Sequence, residues 1–405
     1  MIPVAEAITI VLQHSPKLEF ESVILGDALG RVLAEDIVAD SDLPPFDRAQ
    51  MDGFAVRAAD VASVPARLRI AGESAAGAGW HHEMKTGEAV RIMTGAPVPR
   101  GSDAVQQVEL TREIDGGAVV EILEPVEAGR SIVKQAAEIK VGETVLRAGD
   151  KINAAMIATL ASFGYAQVKV GCRPRVAVMA TGSELVDVDR KPGKDQIRDS
   201  NNYTIAAYAS LAGAMVERWP LAGDDTEELK KQIKQAAETS DVLITSGGVS
   251  MGVYDFMKTA LKELGAEIFF ERVALRPGKP TVFARLGNTL VFGLPGNPVS
   301  VAVTFNLFAR AALRKMQGAK QPGLIEETAV LARAVKGSAD RESYLPAILR
   351  TDEKGALRAE PLKWGGSSDF VAYAHATALV IVPAGVKAVA SNSVLRIVRL
   401  PNSAP

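Results

Sequence analysis

From Arg173 to Gly318, short apolar runs ending in glycine alternate with segments of helical periodicity. RVAVMATG, MVERWPLAGDD, DVLITSGG and TLVFGLPG read as strands entering turns or loops. SNNYTIAAYASLAGA, TEELKKQIKQAAETS, YDFMKTALKELG and the run after LPGN read as helices. Strands alternating with helices imply a parallel sheet covered on both faces. The spacing predicts one doubly wound α/β domain over 173–320. In such a sheet ligands bind beyond the carboxyl ends of the strands, so the chemistry is sought in the loops there.

The rest of the 405 residues follows other periods. Apolar residues in VAEAITIVLQ and LGDALGRVLAEDI recur at helical spacing, so two helices are expected in the first 40 residues. Residues 44–135 carry frequent turn signals between short β-rich runs and predict a small mostly-β module. VGETVLRAGDKINAAMIATLASFG reads as a turn, a short strand and an apolar helix returning to the N-terminal ones. That makes the first, largely helical domain discontinuous, at 1–43 and 136–172. Residues 321–405 return to short strands and predict a C-terminal β-barrel. The expected fold class is therefore multidomain α/β.

Net charge is only -2, which argues against wholesale nucleic-acid binding. Cys172 is the only cysteine, so an intramolecular disulfide and a cysteine zinc site are excluded, and a reducing cytoplasm fits. The N-terminus MIPVAEAITIVLQHSP lacks a signal peptide's charged start, and no apolar run approaches a membrane span. The His81-His82 pair reads as an exposed polar loop or as a metal contact.

Four strand-end loops carry unusual residues: Thr181, Gly182, Ser183 and Glu184; Asp224 and Asp225; Ser246, Gly247, Gly248, Ser250, Gly252 and Asp255; and Pro295 through Ser300. The third suits an oxyanion, because glycines let backbone N–H groups approach it and Ser246 and Ser250 add hydroxyls. The bland alternative is a strand-to-helix turn without a ligand. In the fourth, Asn297 and Pro298 read as a helix cap and first helical residue, which leaves Pro295 and Gly296 unexplained. Arg272, Arg276 and Lys279 cluster in RVALRPGKPTVF, either as a solvated surface or as a phosphate clamp. Glu184, Asp224 and Asp255 supply hard oxygens that suit Mg²⁺ bridging to phosphate, although Asp224 taken alone reads as a helix cap. A further stretch, DLPPFDRAQMDGFAV at 42–56, is too punctuated for a long helix and too polar for a buried strand. Its Asp47 and Asp52 either shape a turn or hold a cation against an anionic substrate.

PPFDRAQMDGFAVR, RIMTGAPVP, SGGVSMG, RPGKP and GLPGNPVS, in that order through most of the chain, resemble the MoeA family of molybdopterin molybdenumtransferases, related to the gephyrin E domain and plant Cnx proteins. The resemblance implies a homodimeric transferase of molybdenum-cofactor biosynthesis that takes molybdate and adenylylated molybdopterin and releases AMP with Mg²⁺ assisting. It implies catalytic acids at Asp52, Glu184, Asp224 and Asp255, the last three near the metal. It implies substrate contacts from Thr94, Ser246, Gly247, Gly248, Ser250, Arg272, Arg276, Lys279, Pro295, Gly296, Asn297, Pro298 and a serine of GGSSD, Ser367 or Ser368. A cleft between the α/β domain of one subunit and the β module of the other follows from it, with Asp52 acting across the dimer. Asp47 is read as a brace. A MogA-like adenylyltransferase and cofactor-accepting enzymes are the partners it suggests; nucleic acid and membrane are not among them. One departure stands out: VKQAAEIKVGE has Ala136 or Ala137 where the family carries glycine, and Glu138 where it carries aspartate. The alternatives are a molybdopterin adenylyltransferase and a gephyrin-like interaction scaffold.

Overall fold

The computed structural model describes residues 1–221, 226–247 and 253–401, without the side chains of 253–256. The chain forms two units, Met1–Glu35 with Ala148–Ala154 and Gln167–Pro405, and Asp36–Arg147 with Ala155–Ala166.

The centre of the first unit is a six-stranded sheet in the order Met215–Arg218, Arg175–Ala180, Val242–Ser246, Thr289–Leu294, Pro280–Leu286, Glu267–Arg272. The first four strands are parallel. Val242–Ser246 and Thr289–Leu294 are buried throughout, as strands covered on both faces must be. Alternate residues feed two cores. Val176, Val178, Ile244 and Phe292 meet Ile205 and Ala209 of the helix Asn201–Leu211, whereas Ala177, Met179, Leu243 and Val291 meet Leu229 and Ile233 of the helix Thr226–Thr239. The sheet is mixed rather than wholly parallel. Leu286 pairs with Thr289 across a two-residue turn, so Pro280–Leu286 runs antiparallel to the first four strands, while Glu267–Arg272, antiparallel to Pro280–Leu286, runs in the same direction as those four. The run from 298 to 316 is helical as expected, with a π segment at Phe305–Ala309.

The last segment closes on itself. Glu342–Thr351, Leu357–Pro361, Glu326–Leu331, Val394–Arg399 and Ala378–Val382 are hydrogen-bonded in sequence, and the last pairs back to the first. This is the expected C-terminal barrel, with Leu331, Ala347, Val380 and Ile397 inside.

Near the N-terminus, Val4–His14 is the expected helix, burying Val4, Ala7 and Val11. The second expected helix, in LGDALGRVLAEDI, does not form beyond the single 3-10 turn Leu25–Asp27. Gly30 takes φ +79 and interrupts it. The backbone pairs instead with distant segments, Gly30 N–H to the Ile152 carbonyl at 2.9 Å and Leu33 N–H to the Asp150 carbonyl at 2.9 Å. Local periodicity loses here to long-range bridging.

The second unit holds another six-stranded sheet, in the order Ala104–Gln107, Gly53–Val56, Glu88–Ile92, Ala66–Ser74, Val119–Ile122, Thr111–Ile114. Phe54, Val56, Leu68, Val120 and Ile122 fill one core beside it. The stretch expected to be too polar for a buried strand thus ends in one, because Gly53–Val56 is buried at every position. Among the described residues no helix is long and apolar enough to cross a membrane.

Candidate active site

The strands Arg175–Ala180 and Val242–Ser246 end side by side, Ala180 opposite Ser246, and Thr181 N–H donates to the Ser246 carbonyl at 2.9 Å. Gly247 follows at φ +114, and a Cβ there would stand 1.9 Å from the Thr181 carbonyl oxygen, so only glycine fits. Ser246 itself is 2% exposed, and among the described residues its hydroxyl has no partner. Gly248, Ser250 and Asp224 lie outside the described residues, as does the side chain of Asp255, which belongs to the helix Val253–Glu263.

The fourth loop is fastened on both sides. Asn297 occupies the N-cap position and Pro298 opens the helix Pro298–Thr304, but the Asn297 side chain does not cap it. Its Nδ2 donates instead to Ser367 Oγ at 2.8 Å, and Val299 N–H donates to the Ser367 carbonyl at 3.0 Å. On the other side Asn201 Nδ2 donates to the Gly296 carbonyl at 2.7 Å. LPGNPVS and GGSSD, separated by some 70 residues, are therefore one surface.

That surface lines a cleft of about 1570 Å³ together with Gly182, Glu184, Gly247, Arg276 and Lys279. Arg276 Nη1 donates to the Gly337 carbonyl at 2.9 Å, which ties the RPGKP segment to the barrel. Leu275–Arg276 also adds a short parallel strand to Glu342–Ser343. Ser367 and Ser368 both line the cleft. Arg272 does not; it ends the strand Glu267–Arg272, and its carbonyl accepts from Ile2 N–H at 3.1 Å.

Several lining residues carried no motif. Lys336, Arg341 and Lys363 come from the barrel wall, and lone cations between short strands give no sequence signal. Asp199 lies at the head of the helix Asn201–Leu211, and its Oδ1 accepts from Asn202 N–H at 3.0 Å. Its place just before a helix at a strand-end loop was the available signal. At 3% exposure, burial pushes the Asp199 carboxyl up, against the opposing pull of hydrogen bonds from Asn202 and Asn201. Counting all described lining residues, seven lysines and arginines face two carboxylates, Glu184 and Asp199, so the cleft is electropositive. The exposed Glu184 carboxylate makes no hydrogen bond or ion pair among the described residues.

Asp52 and Thr94 belong to the other unit, where they form a pair. Asp52 Oδ1 accepts from Thr94 N–H at 2.7 Å and from Thr94 Oγ1 at 2.9 Å. These bonds, the backbone one foremost, hold the Asp52 carboxyl below its ordinary range. Asp47 accepts from Lys134 Nζ at 2.7 Å and from Gln135 N–H at 2.8 Å, and so braces the loop. Glu138 pairs with Arg48 at 3.2 Å. Ala136, not Ala137, takes the glycine-like backbone, at φ +59. His82 rests edge-on against Trp80. Among the described residues no group of three His, Cys, Asp or Glu side chains is placed to hold a metal.

Family models match the chain in three parts: the MoeA N-terminal region (domain I and II) over residues 2–164, a probable molybdopterin binding domain over 177–315, and the MoeA C-terminal region (domain IV) over 328–399. A molybdopterin molybdenumtransferase of Bacillus subtilis is 37% identical over 404 residues, covering 98% of this chain and 93% of that protein. One of Staphylococcus epidermidis is 34% identical over 403 residues, covering 98% and 95%. The crystal structure of a molybdopterin biosynthesis MoeA protein from Pyrococcus horikoshii superposes with a TM-score of 0.85 at 28% identity, over 99% of this chain and 100% of that one. The motifs, the domains in order and the full-length likeness agree: the chain belongs to the MoeA family.

Proposed function

We propose that this enzyme inserts molybdenum from molybdate into adenylylated molybdopterin, with release of AMP. The observation that carries the reading is the electropositive cleft at the strand ends, built from the glycine turn at 247, RPGKP, LPGNP and GGSSD. Both substrates carry multiple negative charges. Lys279, Arg276, Lys336 and Lys363 would screen that charge together, and backbone N–H groups at Gly247 would cradle a phosphate. Asn297, Ser367 and Asn201 fix the loop between them, so the site is organised before substrate arrives.

The donor set fits a hard divalent cation. Glu184 offers an exposed carboxylate in the cleft, unpaired among the described residues, and Mg²⁺ is commonly held by one or two carboxylates together with substrate phosphates. Glu184, with Asp224 and Asp255, would hold it, and when bound it would neutralise charge on the departing phosphate. The chain works as a homodimer in the cytoplasm under this reading, and Asp52, kept ionised and aimed by Thr94, serves the cleft of the other subunit.

The test measures AMP release from adenylylated molybdopterin against molybdate concentration. We expect saturable, molybdate-dependent release, abolished by Asp52→Ala in a folded dimer. Release at the wild-type rate in that variant would remove Asp52 from the reaction. Formation of adenylylated product from ATP and molybdopterin would support the adenylyltransferase alternative instead.

A further inference from the structure

The end of the helical run 298–316 carries Arg310 and Arg314, four residues apart and hence on one face. Arg314 is only 6% exposed. Among the described residues its guanidinium makes no hydrogen bond and no ion pair. Among the described residues Arg310 Nη1 reaches only carbonyl oxygens, of Pro322 and Gly323, each at 3.1 Å. A separate segment brings in a third cation. Ala319 N–H donates to the Arg314 carbonyl at 3.0 Å and Lys320 N–H to the Gly149 carbonyl at 3.0 Å, which sets 149–151 against this helix end. Lys151 stands near enough that, after burial, the two guanidiniums push its ammonium pKa down. Burial and Arg314 likewise bring Arg310 to about 10. No carboxylate contributes to any of the three shifts.

The helix C-terminus offsets part of this charge, because its dipole amounts to about half an elementary charge. Three cations exceed that, and a buried ion without a counter-charge is unfavourable. We propose that Arg310, Arg314 and Lys151 form a binding site for one small tetrahedral oxyanion, sharing no residue with the substrate cleft. Size decides between a small ion and a protein partner. At 6% exposure Arg314 offers little surface to a carboxylate on another chain, whereas a phosphate or molybdate is small enough to meet it beside the exposed Lys151. Two guanidinium forks and an ammonium match the oxygens of such an ion.

Inorganic phosphate and molybdate, in separate arms, are titrated into the full-length protein and followed by calorimetry. We expect at least one of them to bind the wild type at this site. Arg314→Gln should weaken that binding by at least about tenfold, while Lys279→Gln in the cleft leaves it in place. If Arg314→Gln fails to fold, the exposed Lys151→Gln is read instead, and a loss of several-fold is expected. Saturable binding that survives Lys279→Gln and falls in the Arg314 or Lys151 variant supports the site for whichever ion shows it. No saturable binding of either ion, or equal affinity in wild type and both variants, overturns the proposal.

Discussion

Replacing Gly247 with alanine tests whether the strand-end turn is built for close backbone approach. The added Cβ would lie 1.9 Å from the Thr181 carbonyl oxygen, where ordinary contact begins at 3.4 Å. The two must part by about 1.5 Å. Parting them strains the neighbouring bond from Thr181 N–H to the Ser246 carbonyl, now 2.9 Å. Losing such a bond costs about 1 kcal/mol, and a backbone at φ +114 costs an alanine about 1–2 kcal/mol more. Local overpacking adds about 1–3 kcal/mol. We expect Gly247→Ala to lose about 4 kcal/mol of stability by urea unfolding, and AMP release to fall with it even where the variant is fully folded. A variant within about 1 kcal/mol of wild type that releases AMP at the normal rate would refute the reasoning.

Glu184→Gln should raise the Mg²⁺ concentration for half-maximal AMP release by about tenfold while leaving the unfolding midpoint unchanged; superimposable Mg²⁺ titrations would remove Glu184 from the cation site. Asp199 is buried with its carboxyl raised, so its contribution to stability is present at low pH and lost as pH rises through the folded-state value. Asp199→Asn should therefore gain on the wild type as pH rises through that range, and urea midpoints from acid to neutral pH would show the opposite trend if the sign were wrong. Ala136→Gly relieves a left-handed alanine worth about 1 kcal/mol, whereas Ala137→Gly only adds unfolded-state freedom, at a cost of about 0.5–1 kcal/mol. Unfolding midpoints should thus favour Gly at 136 over Gly at 137.

What was legible in the residues was whatever is written locally. Apolar strands ending in glycine announced the α/β domain because a strand covered on both faces is apolar throughout, as Val242–Ser246 is. The LPGNPVS loop was recognisable as a site element for the same reason. Its bond to Ser367 was not, because only the folded barrel brings residue 367 to residue 297. Lys336, Arg341 and Lys363 were invisible as a set, since a cation acquires meaning only from the wall it faces. The helix wrongly expected in LGDALGRVLAEDI shows the reverse case, in which a locally satisfying period was overruled by carbonyls some 120 residues away. Gly53–Val56 was misread because acids and prolines before it masked a short buried strand.

The short strand Leu275–Arg276 has a mechanical consequence. It leaves the α/β sheet, pairs with Glu342–Ser343 and returns as Pro280–Leu286. The two walls of the cleft are thereby spliced rather than hinged, since the same backbone is a member of both. They cannot swing apart like jaws without tearing ladder hydrogen bonds and the Arg276 tie to Gly337. A ligand that enters this cleft therefore meets walls whose spacing is already set.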